Sequence, residues 1–256
     1  MSDPTIRPTT RFTDRVGDYV RYRPGYPDAL LETLEAGVPR SPDYVVADIG
    51  AGTGISTMFL LRAGWTVIAV EPNDAMRAAA VAWLATRAHV HSLRGTAEAT
   101  TLPERSVDLV AAGQAFHWFD RVQARAEFQR ILRPGGRVAL FWNVRRLDAD
   151  PFAEAYEHLL QTYGTDYLQV TQRHVDSSTL SSFFHGPFET HTFPNVQTFD
   201  FEGVRGRLLS SSYAPGPGHP HHQPMLAELR RIFDAHEQRG RVQFVYDARL
   251  YVGGLH

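Results

Sequence analysis

The 256-residue chain contains no cysteine. That excludes disulfides, thiolate metal centres, thiol nucleophiles and iron–sulfur clusters. Lysine is absent too, since all 26 basic residues are arginine. A Schiff-base lysine, a pyridoxal phosphate anchor and a phosphate-loop lysine are therefore excluded. Neither sign of charge dominates. A net charge of −2 gives no electrostatic case for nucleic acid, whose binding depends on clustered positive charge. No segment reaches the ~20 apolar residues needed to span a bilayer. The opening stretch, Met1–Arg11, is polar and lacks an apolar signal region. The expectation is a soluble, cytoplasmic protein with no nucleic-acid or membrane partner; oligomeric state stays open. With 43% hydrophobic residues, the chain can bury one large core, or one core with a cap.

The most informative segment that is present is Val45–Gly54, Val-Val-Ala-Asp-Ile-Gly-Ala-Gly-Thr-Gly. Val45, Val46, Ala47 and Ile49 form the short apolar run of a buried parallel strand. Glycines on alternate positions (Gly50, Gly52, Gly54) then lead into a helix-like stretch, Ile55–Ala63. A strand entering a helix through such a turn lets a ligand press on bare backbone beside the helix N-terminus. Thr66–Val70 reads as the next strand and ends at Glu71, where a carboxylate can accept both hydroxyls of a ribose. The pairing predicts a nucleoside-cofactor site.

The glycine spacing separates the cofactors. A dinucleotide fingerprint places its third glycine where this chain has Ile55. Asp48, at the strand end, suits an ammonium-bearing ligand better than a diphosphate. The run Asp48-x-Gly-x-Gly-x-Gly with Glu71 resembles the cofactor motif of class I S-adenosylmethionine-dependent methyltransferases. Later landmarks extend the likeness: Gly95-Thr96-Ala97-Glu98, Leu102-Pro103, Ser106–Val110, then Gln114-Ala-Phe-His-Trp-Phe-Asp120 and Ile131–Gly136 before a strand at Arg137–Trp142. Their order is similar to the methyltransferase type 11 group. The Gln114–Asp120 segment, with Tyr22-Arg23-Pro24-Gly25-Tyr26-Pro27 upstream, looks most like relatives of trans-aconitate methyltransferase. The specific motifs cover roughly residues 10–145.

The resemblance implies an α/β fold: a Rossmann-like, seven-stranded, mostly parallel sheet with helices on both faces and a small helical cap. It implies one domain over residues 1–256, with a cofactor lid at 1–27, a cofactor-binding core at 28–145, and an acceptor cap with the last two strands at 146–256. It further implies S-adenosyl-L-methionine as cofactor, held by Tyr19 and Arg23 of the lid, Asp48, Gly50, Ala51, Gly52 and Gly54 of the first loop, and Glu71, Pro72 and Met76 after the second strand. Ala97 and Glu98 would bind adenine, and Gln114, Ala115 and Phe116 would line the methionine end. Many relatives have an Asp where this chain has Thr96, so adenine recognition rests on the Ala97 N–H and on Glu98. Arg23 would pair with the methionine carboxylate, because a guanidinium matches its two oxygens.

The pattern of residues supports alternating strands and helices through residue 142, the signature of a parallel α/β sheet. Helices are expected over Pro27–Ala36, Asp74–Ala88 with Asp74 as N-cap, Asp120–Leu132, Pro151–Tyr163, Asp176–Phe184, Val204–Ser212 and Pro224–Arg239. Strands are expected over Phe188–Phe201 and Val242–Val252. His219, His221 and His222 sit in a proline- and glycine-rich loop without Cys or a nearby carboxylate, and are expected to be solvated; no metal site is expected.

Methyl transfer from a sulfonium is an in-line displacement with an activated leaving group, so alignment and water exclusion are the main requirements. A base matters only for a protonated, weakly acidic acceptor. His117 is the candidate, following strand four at the carboxyl edge where open sheets bind ligands, and titrating near neutrality. The loop after that strand lacks the (Asp/Asn)-Pro-Pro-aromatic sequence of amino-group methyltransferases acting on DNA or protein amides, and the absent cysteines exclude radical S-adenosylmethionine chemistry. A small-molecule acceptor is therefore expected, and the resemblance to trans-aconitate methyltransferase relatives implies a carboxylate, with a hydroxyl also open. Arg145 and Arg146 are candidates for an acidic acceptor. Two alternatives remain open: a nicotinamide-dependent oxidoreductase, disfavoured by Ile55, Asp48 and the lack of a Tyr-x-x-x-Lys pair, and a non-catalytic S-adenosylmethionine-binding partner or sensor.

Overall fold

A computed structural model of the chain describes residues 22–167 and 176–255. Strand β1 (Val45–Ile49) is buried on both faces, as its unbroken apolar run requires. It feeds helix α2 (Ile55–Leu61), and helix α1 (Asp28–Glu35) precedes it. The chain continues through β2 (Thr66–Val70), α3 (Asp74–Leu84), β3 (Val90–Leu93), β4 (Val107–Gly113), α4 (Arg121–Ile131) and β5 (Leu132–Arg145). Then come α5 (Pro151–Tyr163), α6 (Ser177–Phe184), β6 (Phe188–Phe199), α7 (Phe201–Leu209), α8 (His222–His236) and β7 (Val242–Gly253).

The seven strands form one sheet in the order β3-β2-β1-β4-β5-β7-β6. Pairings from β3 to β5 are parallel, while β7 runs antiparallel to both neighbours. Strand order reverses between β1 and β4, and the carboxyl ends of that pair open the crevice where doubly wound sheets take ligands. This is the expected Rossmann-like, mostly parallel architecture.

One face of the sheet packs Val110, Phe116, Phe128 and Phe183 into a core with α4 and α6. The other packs Leu30, Phe59, Trp65 and Phe141 with α1 and α2. A third cluster unites Tyr156, Leu160, Val204, Leu208, Leu229 and Phe244, joining α5, α7 and α8 to the far end of β7. Each such fully buried large side chain contributes about 1.5–3 kcal/mol, so the cap has a core of its own against the sheet.

Several local expectations need correction. Asn73, not Asp74, caps α3: its side chain accepts from the Met76 N–H at 3.0 Å, leaving Asp74 to pair with Arg77 on the exposed first turn. That helix stops at Leu84, short of Ala88. Helix α7 starts earlier than Val204, because Asp200 caps it by accepting from the Gly203 N–H at 2.9 Å, and the same cap ends β6 at Phe199 rather than Phe201. Strand β5 spans Leu132–Arg145 rather than Arg137–Trp142: Leu132 pairs with Val107 of β4, and Val138–Arg145 follow β7 in an antiparallel ladder. Helix α8 begins at His222 and ends at His236. Among the described residues, no helix is long and apolar enough to cross a membrane.

Candidate active site

The carboxyl ends of β1, β2 and β4 border a cavity of about 400 Å3, within the range of small-molecule sites. Its floor is the turn between β1 and α2. Gly50, Gly52 and Gly54 all have positive φ (70°, 58° and 93°), the region that favours glycine. Gly50, Ala51 and Gly52 face the cavity, with Thr53 beside them. Gly54 instead sits under α3, where a Cβ would lie 3.0 Å from Leu84 Cδ1. It shapes the turn without reaching the cavity.

Glu71 lies at the end of β2 with its carboxylate in the wall. Oε2 accepts the Gly52 N–H and Oε1 accepts the Asn73 N–H, both at 2.8 Å. A carboxylate has about four acceptor positions, so two remain for hydroxyl donors. Burial pushes its pKa up, against the pull of those two backbone N–H groups and of Arg77. Pro72 and Met76 continue this wall, and Ala97 and Glu98 close the side beyond β3. Glu98 also accepts from the Asp120 N–H at 2.9 Å, which ties this turn to the start of α4.

Strand β4 ends on Gly113, where a Cβ would stand 2.7 Å from both Phe141 Cε2 and the Tyr26 hydroxyl. Gln114 follows at φ 58°, a strained conformation for a side-chain-bearing residue, and lines the cavity with Ala115, His117, Trp118 and Phe119. Arg23, Pro24 and Tyr26 reach the same cavity from the segment before α1. Asn143 and Asn195 hold that segment by donating to the Gly25 carbonyl at 3.0 and 2.8 Å. Arg23 donates to the Ser210 carbonyl at 3.2 Å.

Two expected contacts are corrected. Asp48 does not line the cavity. It is fully buried beneath the glycine turn, where Oδ2 accepts from Ser56 Oγ and Thr57 Oγ1, both at 2.7 Å. It fastens the start of α2 to β1, and its Oδ1 has no hydrogen-bond partner among the described residues. Phe116 is likewise fully buried, edge-on to Phe183 at 4.6 Å, because the short helical turn Phe116–Trp118 rotates it into the core and leaves its neighbours on the cavity side. Tyr19 lies outside the described residues. Arg145 also departs from expectation: it pairs with Glu157 and lies outside the cavity wall. The three histidines of the 213–224 loop form no metal-binding group among the described residues.

Ser212 and Tyr213 complete the wall, and sequence reading did not find them. They follow α7, distant in sequence from every glycine motif, and carry no local signature.

Asp48 gives the site a pH dependence. Burial pushes its pKa up from 3.8 to about 6, despite the Thr57 and Ser56 hydrogen bonds. Between those values the folded chain holds a proton that the unfolded chain has lost, so stability falls as pH rises through that window, by about 3 kcal/mol in all. Asp48→Asn keeps an oxygen for Ser56 and Thr57 and removes the titration. Its melting temperature is expected to fall less between about pH 4 and about pH 6 than the native protein's, the remaining fall coming from Glu71. Thermal scans of both proteins across that range check this; parallel curves would refute it.

The residues present fit an adenosyl amino-acid cofactor: a glycine floor, a carboxylate bonded to it that keeps open acceptor positions, and an arginine in the lining. Comparison with known proteins points the same way. Residues 47–140 match the methyltransferase domain family. An uncharacterized methyltransferase of Mycobacterium tuberculosis (strain ATCC 25618 / H37Rv) is 42% identical over 138 residues, 52% of this chain and 52% of that protein. An uncharacterized methyltransferase of Schizosaccharomyces pombe is 32% identical over 151 residues, 59% of each chain. The chain thus spans about half the length of the curated relatives it matches. Among solved structures, one described as a type II methyltransferase from Anaeromyxobacter dehalogenans superposes with a TM-score of 0.68 and 25% identity, over 91% of this chain and 98% of that one. The fold is similar to that of this solved methyltransferase, and residues 47–140 carry the match to the methyltransferase domain family.

Proposed function

We propose that the chain transfers a methyl group from S-adenosyl-L-methionine to a small-molecule acceptor. The observation that carries this reading is the Glu71 carboxylate hydrogen-bonded to the Gly52 N–H at the rim of a glycine-floored cavity. Glu71 would accept the ribose hydroxyls, the Gly50–Gly52 backbone would lie against the cofactor's centre, and the Ala97 N–H with Glu98 would take the adenine edge. Arg23 would face the methionine carboxylate, and Gln114 and Ala115 would flank the methyl group. When bound, the cofactor supplies a methyl on a sulfonium leaving group. The chain's part is to hold the acceptor in line and keep water out, which can be worth effective molarities of ~10⁵–10⁸ M.

The segment up to residue 27 would act as the cofactor lid, residues 28–145 as the cofactor-binding core and residues 146–256 as the acceptor cap. The likeness to relatives of trans-aconitate methyltransferase belongs to this reading, and with it a carboxylate or hydroxyl acceptor. His117 would touch the acceptor from the β4 end.

Calorimetric titration with S-adenosylmethionine, S-adenosylhomocysteine and NAD⁺ tests the reading. Binding of the two adenosyl-sulfur ligands alone is the expected result, and binding of NAD⁺ alone would overturn it. His117→Ala is expected to leave the dissociation constant for S-adenosylhomocysteine unchanged while slowing transfer at least about tenfold, within the range for a contact made at the reacting centre. Unaltered turnover would return His117 to a packing role.

A further inference from the structure

Arg23, Pro24 and Tyr26 reach the cavity from one short segment, residues 22–26, that runs ahead of α1. Its two ends are fastened to different parts of the molecule. Tyr26 packs against the sheet and α2, its ring edge-on to Phe141 at 4.7 Å and tilted against Phe59 at 5.3 Å. Tyr22 and Arg23 rest on the cap instead. The Tyr22 ring lies so close to α7 that a Cβ on Gly206 would stand 2.1 Å from its Cε2. Gln197 of β6 donates to the Tyr22 carbonyl at 3.3 Å, and Arg23 reaches the Ser210 carbonyl after α7 at 3.2 Å.

Between these anchorages the Gly25 carbonyl accepts from two side-chain amides, Asn143 Nδ2 of β5 at 3.0 Å and Asn195 Nδ2 of β6 at 2.8 Å. Asn195 Nδ2 also donates to Asn143 Oδ1 at 2.8 Å, which closes a ring of hydrogen bonds. A carbonyl only accepts, so both Nδ2 atoms must face it, and the Asn143 oxygen is left for Asn195. Neither amide can turn over without setting oxygen against oxygen. The two residues hang from the strands that flank β7, with Ala248 opposite Asn143 and Tyr246 opposite Asn195. The small Ala248 side chain lets the amides meet across the intervening strand. Asn143 is only 8% exposed, so the inner edge of the ring is shielded from competing water. Its backbone carbonyl accepts from Gln114 Nε2 at 3.3 Å, which ties the strained residue of the β4 loop to the same point.

We propose that Asn143 and Asn195 are positioning residues of this active site: they fix the Gly25 carbonyl and so hold Arg23 in place for the methionine end of the cofactor before it binds. The inference rests on the methyltransferase reading and deepens it, because it names the residues that prepare the segment for its ligand. Neither asparagine is among the residues lining the cavity, so both act through the segment they hold. A segment left loose must be ordered by the ligand itself, and that ordering lowers affinity. An amide is required at position 195. The Gly25 carbonyl and Asn143 Oδ1 both need a donor there, which neither an acid nor an apolar group supplies.

The experiment is calorimetric titration of S-adenosylhomocysteine into the purified full chain, Asn195→Ala, Asn195→Asp, Arg23→Met and the double variant Asn195→Ala with Arg23→Met. Asn195→Ala removes two hydrogen bonds of the ring and is expected to weaken binding about tenfold. Asn195→Asp keeps the shape without the donor, so it is expected to lose at least as much. In the Arg23→Met background the Asn195→Ala step is expected to shrink below about threefold, because the residue it positions is gone. A purely structural asparagine would lower the melting temperature and leave affinity alone, or would cost the same factor in both backgrounds. Either result would overturn the proposal, as would native affinity in Asn195→Asp. Should the Asn195 variants fail to fold, Gln197→Met removes the donor to the Tyr22 carbonyl. It is expected to weaken binding by a smaller factor that again shrinks in the Arg23→Met background, and native affinity there would overturn the proposal. Native protein that does not bind S-adenosylhomocysteine would overturn the methyltransferase reading itself, whereas native binding with unaltered variants would overturn the positioning role alone.

Discussion

Gly50→Val is expected to abolish measurable cofactor binding and to lower stability by several kcal/mol. At φ 70°, Gly50 occupies the left-handed region, which costs a side-chain-bearing residue about 1–2 kcal/mol and a β-branched one more. Space adds to the cost. A Cβ there would stand 2.7 Å from Ala115 Cβ and 3.6 Å from Phe119 Cε1. Crowding of this kind adds about 1–3 kcal/mol. The strain can relax only by parting the β1 turn from the β4 turn. Both turns line the cavity, so relaxation dismantles the cradle that the ligand needs. If most of the strain must be undone on binding, affinity falls by about 10²-fold or more. Differential scanning calorimetry and titration with S-adenosylhomocysteine check both effects. A folded variant that bound within about threefold of the native affinity would remove the glycine turn from the cofactor site.

Glu71→Ala is expected to weaken cofactor binding about 100-fold while leaving a folded protein. Its carboxylate has two tasks. It accepts the Gly52 and Asn73 N–H groups, which fix the glycine turn to the β2 end, and it offers the remaining acceptor positions to a ribose. Hydrogen bonds to a charged group contribute about 1.5–3 kcal/mol each, so losing the ribose contacts alone reaches the expected change. Glu71→Gln keeps one acceptor oxygen and is expected to fall between the two. The same residue sets a pH dependence with a definite sign. Burial raises its pKa, and ribose donors favour the ionised form, so binding expels a proton and affinity rises with pH through the raised value. In the unliganded protein the sign is opposite, with stability falling as pH rises through that window. Titrations in buffers of different ionisation enthalpy would show the proton release; a pH-independent affinity would exclude Glu71 from the ribose contact.

The Asp48 correction explains where local reading stopped. Motif spacing places Asp48 at a strand end next to the glycines, and from there an ammonium contact is a reasonable expectation. The side-chain direction depends on which face of β1 it leaves by, and α2 presents Ser56 and Thr57 to that face. Two hydroxyls donated to one buried oxygen make it a fastening for the helix. Phe116 has the same lesson in a turn: the Gln114–Asp120 motif is at the cavity, but a single turn of helix sends one residue of it into the core. The cap boundaries moved for a related reason, because Asp200 competes for the backbone as an N-cap and wins over the strand pattern of Phe188–Phe201.

The sequence by itself determined the sheet type, the turn between β1 and α2, the acid at the end of β2 and the position of the β4 loop. Each depends on contiguous residues: alternate glycines permit positive φ, apolar runs select buried strands, and prolines and caps end helices. The tertiary structure decided the side of the cavity that faces the cap. Arg23 meets Ser210 across 187 positions, Asn143 meets Gly25 across 118, and Tyr213 reaches the cavity only because α7 packs into the cap core. These meetings follow from the packing of separate segments, and no local pattern encodes them.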